Sequence, residues 1–142
     1  MVAERSLTEH VVFHGRVDEL TKANLLRSCT AFAMPSRAEG FGIVYLEAMR
    51  YGRPCLVSDC DAGREVVNPP EAGLQVNVHD PRAVADALLQ LLGNQRQWSV
   101  WSAGAKARYE KNYTVTAYQQ RLFQAIDTVL EPQQPTSSSG SR

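Results

Sequence analysis

The chain has 142 residues, room for one domain with a substantial core and too little for two of ordinary size. Apolar residues make up 44% and charged residues 21%, the balance of a soluble globular protein, and fifteen basic side chains cancel fifteen acidic ones. That neutrality removes the global field of a nucleic-acid or anionic-membrane binder, the apolar runs fall far short of a membrane span, and the N-terminus lacks a signal peptide's apolar core.

Residues 1–10 are polar and mixed, and read as an irregular lead-in or the tail of a preceding helix. Val11-Val12-Phe13 is a short β-prone run ending at the turn signal His14-Gly15. Asp18 is placed to cap a helix from Glu19 to Ser28, with Leu25, Leu26 and Cys29 towards one face. Thr30 to Met34 reads as a strand buried on both faces, and leads into Pro35 and a glycine-bearing loop. Ile43 to Tyr51 is the next helix, with Gly52 to end it. Pro54 to Ser58 is a third strand, followed by a helical piece at Arg64–Val67 and a fourth strand at Leu74–Val78. Asp80-Pro81 opens a helix whose apolar stripe is Val84, Ala87, Leu88, Leu91 and Leu92. Gly93-Asn94 breaks it, and two more helices carry Trp98, Trp101, Ala105 and Tyr109, then Tyr118, Leu122, Ile126 and Val129. Both tryptophans are expected to pack, and residues 132–142 to be a disordered tail. Cys29, Cys55 and Cys60 are odd in number and lack zinc-type spacing, which points to reduced thiols in a cytosolic protein. The alternation predicts an α/β fold: a Rossmann-like parallel sheet with helices on both faces, and ligands beyond the carboxyl ends of its strands.

The loop from Pro35 to Gly42 lies at such an end. Gly40 and Gly42 flank Phe41, so the backbone can approach a ligand without an intervening Cβ. The amides of Gly42, Ile43 and Val44 open a helix and lack partners within it, and with the helix dipole they suit phosphate. Glu39 would repel phosphate directly but suits neighbouring hydroxyls, and Glu47, one turn beyond Ile43, can reach another hydroxyl pair. Amides for phosphate and carboxylates for diols describe a sugar-nucleotide site. Spacing alone favours a simpler account, in which Glu39 caps the helix and Glu47 pairs with Arg50 or Arg53 on the surface.

The wider pattern outweighs that account. Pro35-Ser36-Arg37, Glu39-Gly40-Phe41-Gly42, Glu47-Ala48-Met49 and Gly52-Arg53-Pro54 together resemble the signature of retaining glycosyltransferases of the two-Rossmann-domain (GT-B) type, family 4 above all. That family's mark is Glu, seven residues, Glu, the spacing of Glu39 and Glu47. Val12 to Val17, Gly63-Arg64-Glu65-Val66-Val67, Ala72-Gly73-Leu74 and Asp80-Pro81 continue the likeness in family order. The resemblance implies that Glu39 contacts the donor sugar's hydroxyls and is the catalytic residue. The amides of Phe41, Gly42 and Ile43 would hold the diphosphate, Glu47 the ribose, and Gly15 and Arg16 would lie near the base. Arg37 and Gly40 complete the implied donor site. The family uses no metal and no cofactor, retains configuration, and is thought to let the departing phosphate assist the incoming hydroxyl.

The departures are also informative. The family's phosphate-gripping arginine and lysine belong upstream of Val11, where ten residues stand, and an acceptor domain normally precedes this one. The pair of glycines usual before Glu65 is Ala62-Gly63, and Cys60 and Asp61 carry no implied role. The expectation is thus a nucleotide-sugar-binding domain over 11–131, inactive alone. Its expected partners are a UDP-, GDP- or ADP-linked sugar and an acceptor domain or partner chain, with no nucleic acid. The expected location is the cytoplasm, or the cytosolic membrane face in a full-length enzyme. The alternative is a non-catalytic subunit acting through protein contact, for instance as a homodimer.

Overall fold

The structure, a computed structural model, describes residues 2–37 and 40–130. Glu39 and the tail expected at 132–142 lie outside the described residues. After a 3-10 turn at Ala3–Arg5, the elements run α1 (Glu19–Ser28), β1 (Phe32–Ala33), α2 (Ile43–Met49), β2 (Cys55–Ser58), α3 (Gly63–Val67), β3 (Gly73–Val76), α4 (Pro81–Gly93), α5 (Gln95–Asn112) and α6 (Val115–Leu130). Local chemistry sets several of these bounds. Asp18 accepts the Thr21 amide at 2.7 Å to open α1, Asp80 accepts the Arg82 amide at 2.9 Å to open α4, and Asn94 accepts the Gln97 amide at 3.0 Å to open α5.

The three strands are parallel in the order β1-β2-β3, with Phe32 opposite Cys55 and Cys55 opposite Gly73. All four residues of β2 are buried, because the central strand is covered on both faces. Cys55 and Val57 pack with Tyr45, Met49, Val66 and Val67 of α2 and α3. Leu56 points the other way, into a cluster with Val76, Leu91 and Trp101. Helix α5 serves both sides, Trp101 joining the second cluster and Ala105 the first. At the β2–β3 seam Gly73 adopts φ +151°, and a Cβ there would lie 1.9 Å from the Cys55 carbonyl oxygen.

Four expectations need correction. Val11–Phe13 is irregular, with Val12 73% and Phe13 80% exposed; a strand needs a ladder partner, and β1 pairs only with β2 among the described residues. Strand β1 is two residues long and has an exposed position, Ala33, so it is an edge strand and not one buried on both faces. Ahead of it, α5 reaches the chain: Trp98 Nε1 donates to the Thr30 carbonyl at 2.7 Å. Strand β3 stops at Val76, where the Asn77 side chain turns the chain by accepting the His79 amide at 2.9 Å. On α4, Leu92 lies outside the buried stripe and is exposed. The three cysteines are free; burial pushes the Cys55 thiol well up and the Cys29 thiol up, and Cys60 is exposed. Among the described residues no helix is long and apolar enough to cross a membrane.

Candidate functional site

The loop after β1 is pinned from below. Tyr45, fully buried on α2, donates its hydroxyl to the Met34 carbonyl, and its ring meets Phe32 edge-on at 5.7 Å. This ties the end of β1 to the first turn of α2 and fixes where the loop must reach. Gly42 is the N-cap of α2, in a left-handed conformation (φ 79°, ψ 49°) and with no side chain to cap the helix. Its carbonyl accepts the Tyr45 amide at 2.9 Å, while the amides ahead of Tyr45 have no intrahelical acceptor. Ile43 and Gly40 are exposed, and half-exposed Phe41 meets Tyr113 edge-on at 6.5 Å.

Glu47 lies further along α2, on the wall of a cavity of about 280 Å³ between α1, α2 and the end of α5. Glu19, Lys22, Ile43, Arg50 and Tyr109 also line it. Lys22 Nζ stands 2.9 Å from Glu47 Oε1 and 2.9 Å from Glu19 Oε2, and the Lys22 and Glu47 side chains are each 34% exposed. Hydrogen bonding to Glu19, then to Glu47, raises the Lys22 ammonium above the ordinary lysine range. Glu47 is therefore paired, but neither Arg50 nor Arg53 is its partner. Arg50 lies over the Tyr51 ring, 5.9 Å from its centroid, and Arg53 donates to the Arg27 carbonyl at the end of α1. Phe41 belongs to a second hollow, about 570 Å³, shared with Leu46, Tyr113, Tyr118 and Arg121.

The structure thus brings Ile43 and Glu47 to one cavity and sets Gly42 and Phe41 close in sequence to it. Gly15 and Arg16 are exposed on the loop before α1 and do not line this cavity. Arg37 is likewise exposed and outside it. Sequence reasoning missed Lys22, whose spacing from Glu19 signals only a surface pair on one helix. It also gave no role to Asp61, which the structure buries beyond β2: Oδ1 accepts the Gly63 amide at 2.8 Å and Oδ2 has no partner among the described residues.

Comparison with known proteins agrees with this architecture. The family described as Glycosyl transferases group 1 matches residues 1–94. The phosphatidyl-myo-inositol mannosyltransferase of Mycobacterium leprae is 40% identical over 126 residues, covering 86% of this chain and 33% of that protein. The D-rhamnosyltransferase WbpZ of Pseudomonas aeruginosa is 36% identical over 108 residues, 74% of this chain and 28% of that protein. Among solved structures, sucrose-phosphate synthase from Thermosynechococcus elongatus superposes with a TM-score of 0.79 at 26% identity, over 90% of this chain and 32% of that one. Anabaena HepE, solved with UDP and glucose, shares the fold with a TM-score of 0.77 at 20% identity, over 89% of this chain and 34% of that one. The chain spans about a third of the length of these relatives. Its parallel sheet with helices on both faces is the Rossmann-like arrangement of the GT-B glycosyltransferases, and the chain belongs to the glycosyl transferases group 1 family.

Proposed function

We propose that this chain is the donor-binding part of a retaining, metal-independent glycosyltransferase that moves a hexose from a nucleoside-diphosphate sugar to a hydroxyl acceptor. The observation that carries the reading is the meeting, beyond the end of β1, of a helix start without a side-chain cap, an ion-paired Glu47 and a cavity beside it. The relatives support it: they are named mannosyl- and rhamnosyltransferases, and HepE was solved with UDP-glucose.

In this reading the amides of Phe41, Gly42 and Ile43 receive the diphosphate and Glu47 accepts from the ribose hydroxyls. Gly15 and Arg16 approach the base, and Arg37 and Gly40 border the donor. Glu39, outside the described residues, holds the sugar hydroxyls. The bond between the anomeric carbon and the diphosphate oxygen breaks, and fixed amide dipoles stabilise the charge left on that oxygen. A departing phosphate oxygen takes the acceptor's proton as the new bond forms on the same face. The domain occupies 11–131 and works in the cytoplasm. Alone it binds nucleotide without completing transfer, since the chain covers a third of its relatives.

Calorimetry with UDP, GDP and ADP tests this. Weak binding of at least one, abolished by Glu47→Ala, is the expected result. No heat from any of the three at millimolar concentration overturns it.

One observation favours a second reading, in which the chain acts through contact with a second copy of itself. Helix α6 buries none of its residues and exposes Tyr118, Phe123, Ile126 and Val129. Light scattering that finds a monomer at every concentration removes this reading and leaves the first untouched.

A further inference from the structure

Glu47 does not stand alone at its cavity. Lys22 reaches it from α1, 25 positions earlier in the chain, and holds Oε1 at 2.9 Å while also meeting Glu19 at 2.9 Å. Ion pairs this exposed contribute little to stability, so the pairing has small value as a mere tie between α1 and α2. Its geometric consequence is larger. A free glutamate samples several rotamers, and each must be surrendered when a ligand binds. A carboxylate offers about four lone-pair sites, and the bond from Lys22 occupies one of them, leaving the others for hydroxyl donors in the cavity that Glu47 lines.

We propose that Lys22 is a positioning residue that holds Glu47 in the conformation accepting the two ribose hydroxyls, an inference that rests on reading Glu47 as the ribose ligand. Electrostatics work in the same direction. Without the ammonium, Glu19 and Glu47 would stand as two carboxylates in one cavity, repelling each other and the incoming diphosphate. That repulsion weakens every nucleotide alike, whereas misplacing Glu47 removes the preference for ribose. The two effects are therefore separable.

The experiment titrates the full chain and its Lys22→Gln and Lys22→Arg variants with GDP, UDP and ADP, and with the 2′-deoxy form of each that binds. The unsubstituted chain should prefer the ribonucleotide about tenfold, the worth of one hydrogen bond to a charged acceptor. Lys22→Gln should weaken both forms and shrink that preference below about twofold, while Lys22→Arg, which keeps a cation in reach, retains most of it. Thermal unfolding of each variant verifies that the fold survives. An unchanged ribose preference in Lys22→Gln overturns the positioning role, even if affinity falls. A ribose preference absent from the unsubstituted chain also overturns it. Binding indifferent to Glu47→Ala removes the ribose assignment as well, and no binding at all removes the donor-site reading beneath both.

Discussion

The stretch from Ile43 to Val76 and the two flanks at 11–17 and 115–130 are all rich in apolar side chains, yet they fare oppositely. In the middle, Tyr45, Met49, Leu56, Val57 and Val67 are fully buried. On the flanks, Val12, Phe13, Tyr118, Phe123 and Val129 all stand exposed. Length and local helical or strand character do not explain the difference. Helix α2 has 7 residues and buries three of them, whereas α6 has 16 and buries none. What separates them is position relative to β2. Segments that pack on either face of the central strand find a complementary apolar surface, and segments beyond its reach keep their apolar side chains in solvent.

The contrast can be broken most severely at the β2–β3 seam. Gly73→Val would drive a side chain into the Cys55 backbone, so the seam must open and both core clusters lose their shared strand. The expected loss exceeds about 4 kcal/mol, read as absence of a cooperative transition in circular dichroism. A milder cut compares the two regions directly. Leu56→Ala, in a fully buried site, should cost about 3 kcal/mol in urea unfolding. Phe123→Ala, on the open face of α6, should stay within about 0.5 kcal/mol. A loss at Phe123 approaching that at Leu56 would mean that α6 is covered in solution, which is what self-association predicts.

The elements that could be read from sequence are those whose bounds are chemical and local. Asp18 and Asp80 with Pro81 announce helix starts through side-chain caps, and the structure places helices there, whereas Asn94 was legible only as a break and proves to cap α5. The run at Val11–Phe13 announced a strand just as clearly and did not become one, because its partner is not written in the run itself. The Thr30 carbonyl ahead of β1 is taken by Trp98, 68 positions away, a contact no local pattern encodes. At the site, Glu47 was legible as a carboxylate one turn into a helix behind a glycine loop. Its partner Lys22 was not, since the pair exists only once α1 has packed against α2. The capless start at Gly42 was readable because glycine can neither cap nor obstruct.

The smallest effect concerns the helix that delivers Lys22. The Asp18 carboxyl is held below the ordinary aspartate range by its bonds from the Thr21 side chain and amide. A carboxyl whose folded value lies below its unfolded one contributes stability above the unfolded value and loses it as pH falls through the folded value. Acidification should therefore loosen the start of α1 before the caps of neutral residues respond. Asn caps a helix about as well as Asp near neutrality but does not titrate, so Asp18→Asn should leave the neutral urea midpoint almost unchanged. As pH falls below the ordinary aspartate range its midpoint should fall less steeply than that of the unsubstituted chain. Parallel acid limbs in the two proteins would show that the cap is not linked to folding. The difference should be slight, because Asp18 is exposed and solvent screens what it gains, and it should act through α1 alone. Since α1 also carries the lysine that orients Glu47, the same acid step should weaken nucleotide binding in the unsubstituted chain more than in Asp18→Asn, tying the stability of one exposed helix end to the geometry of the cavity.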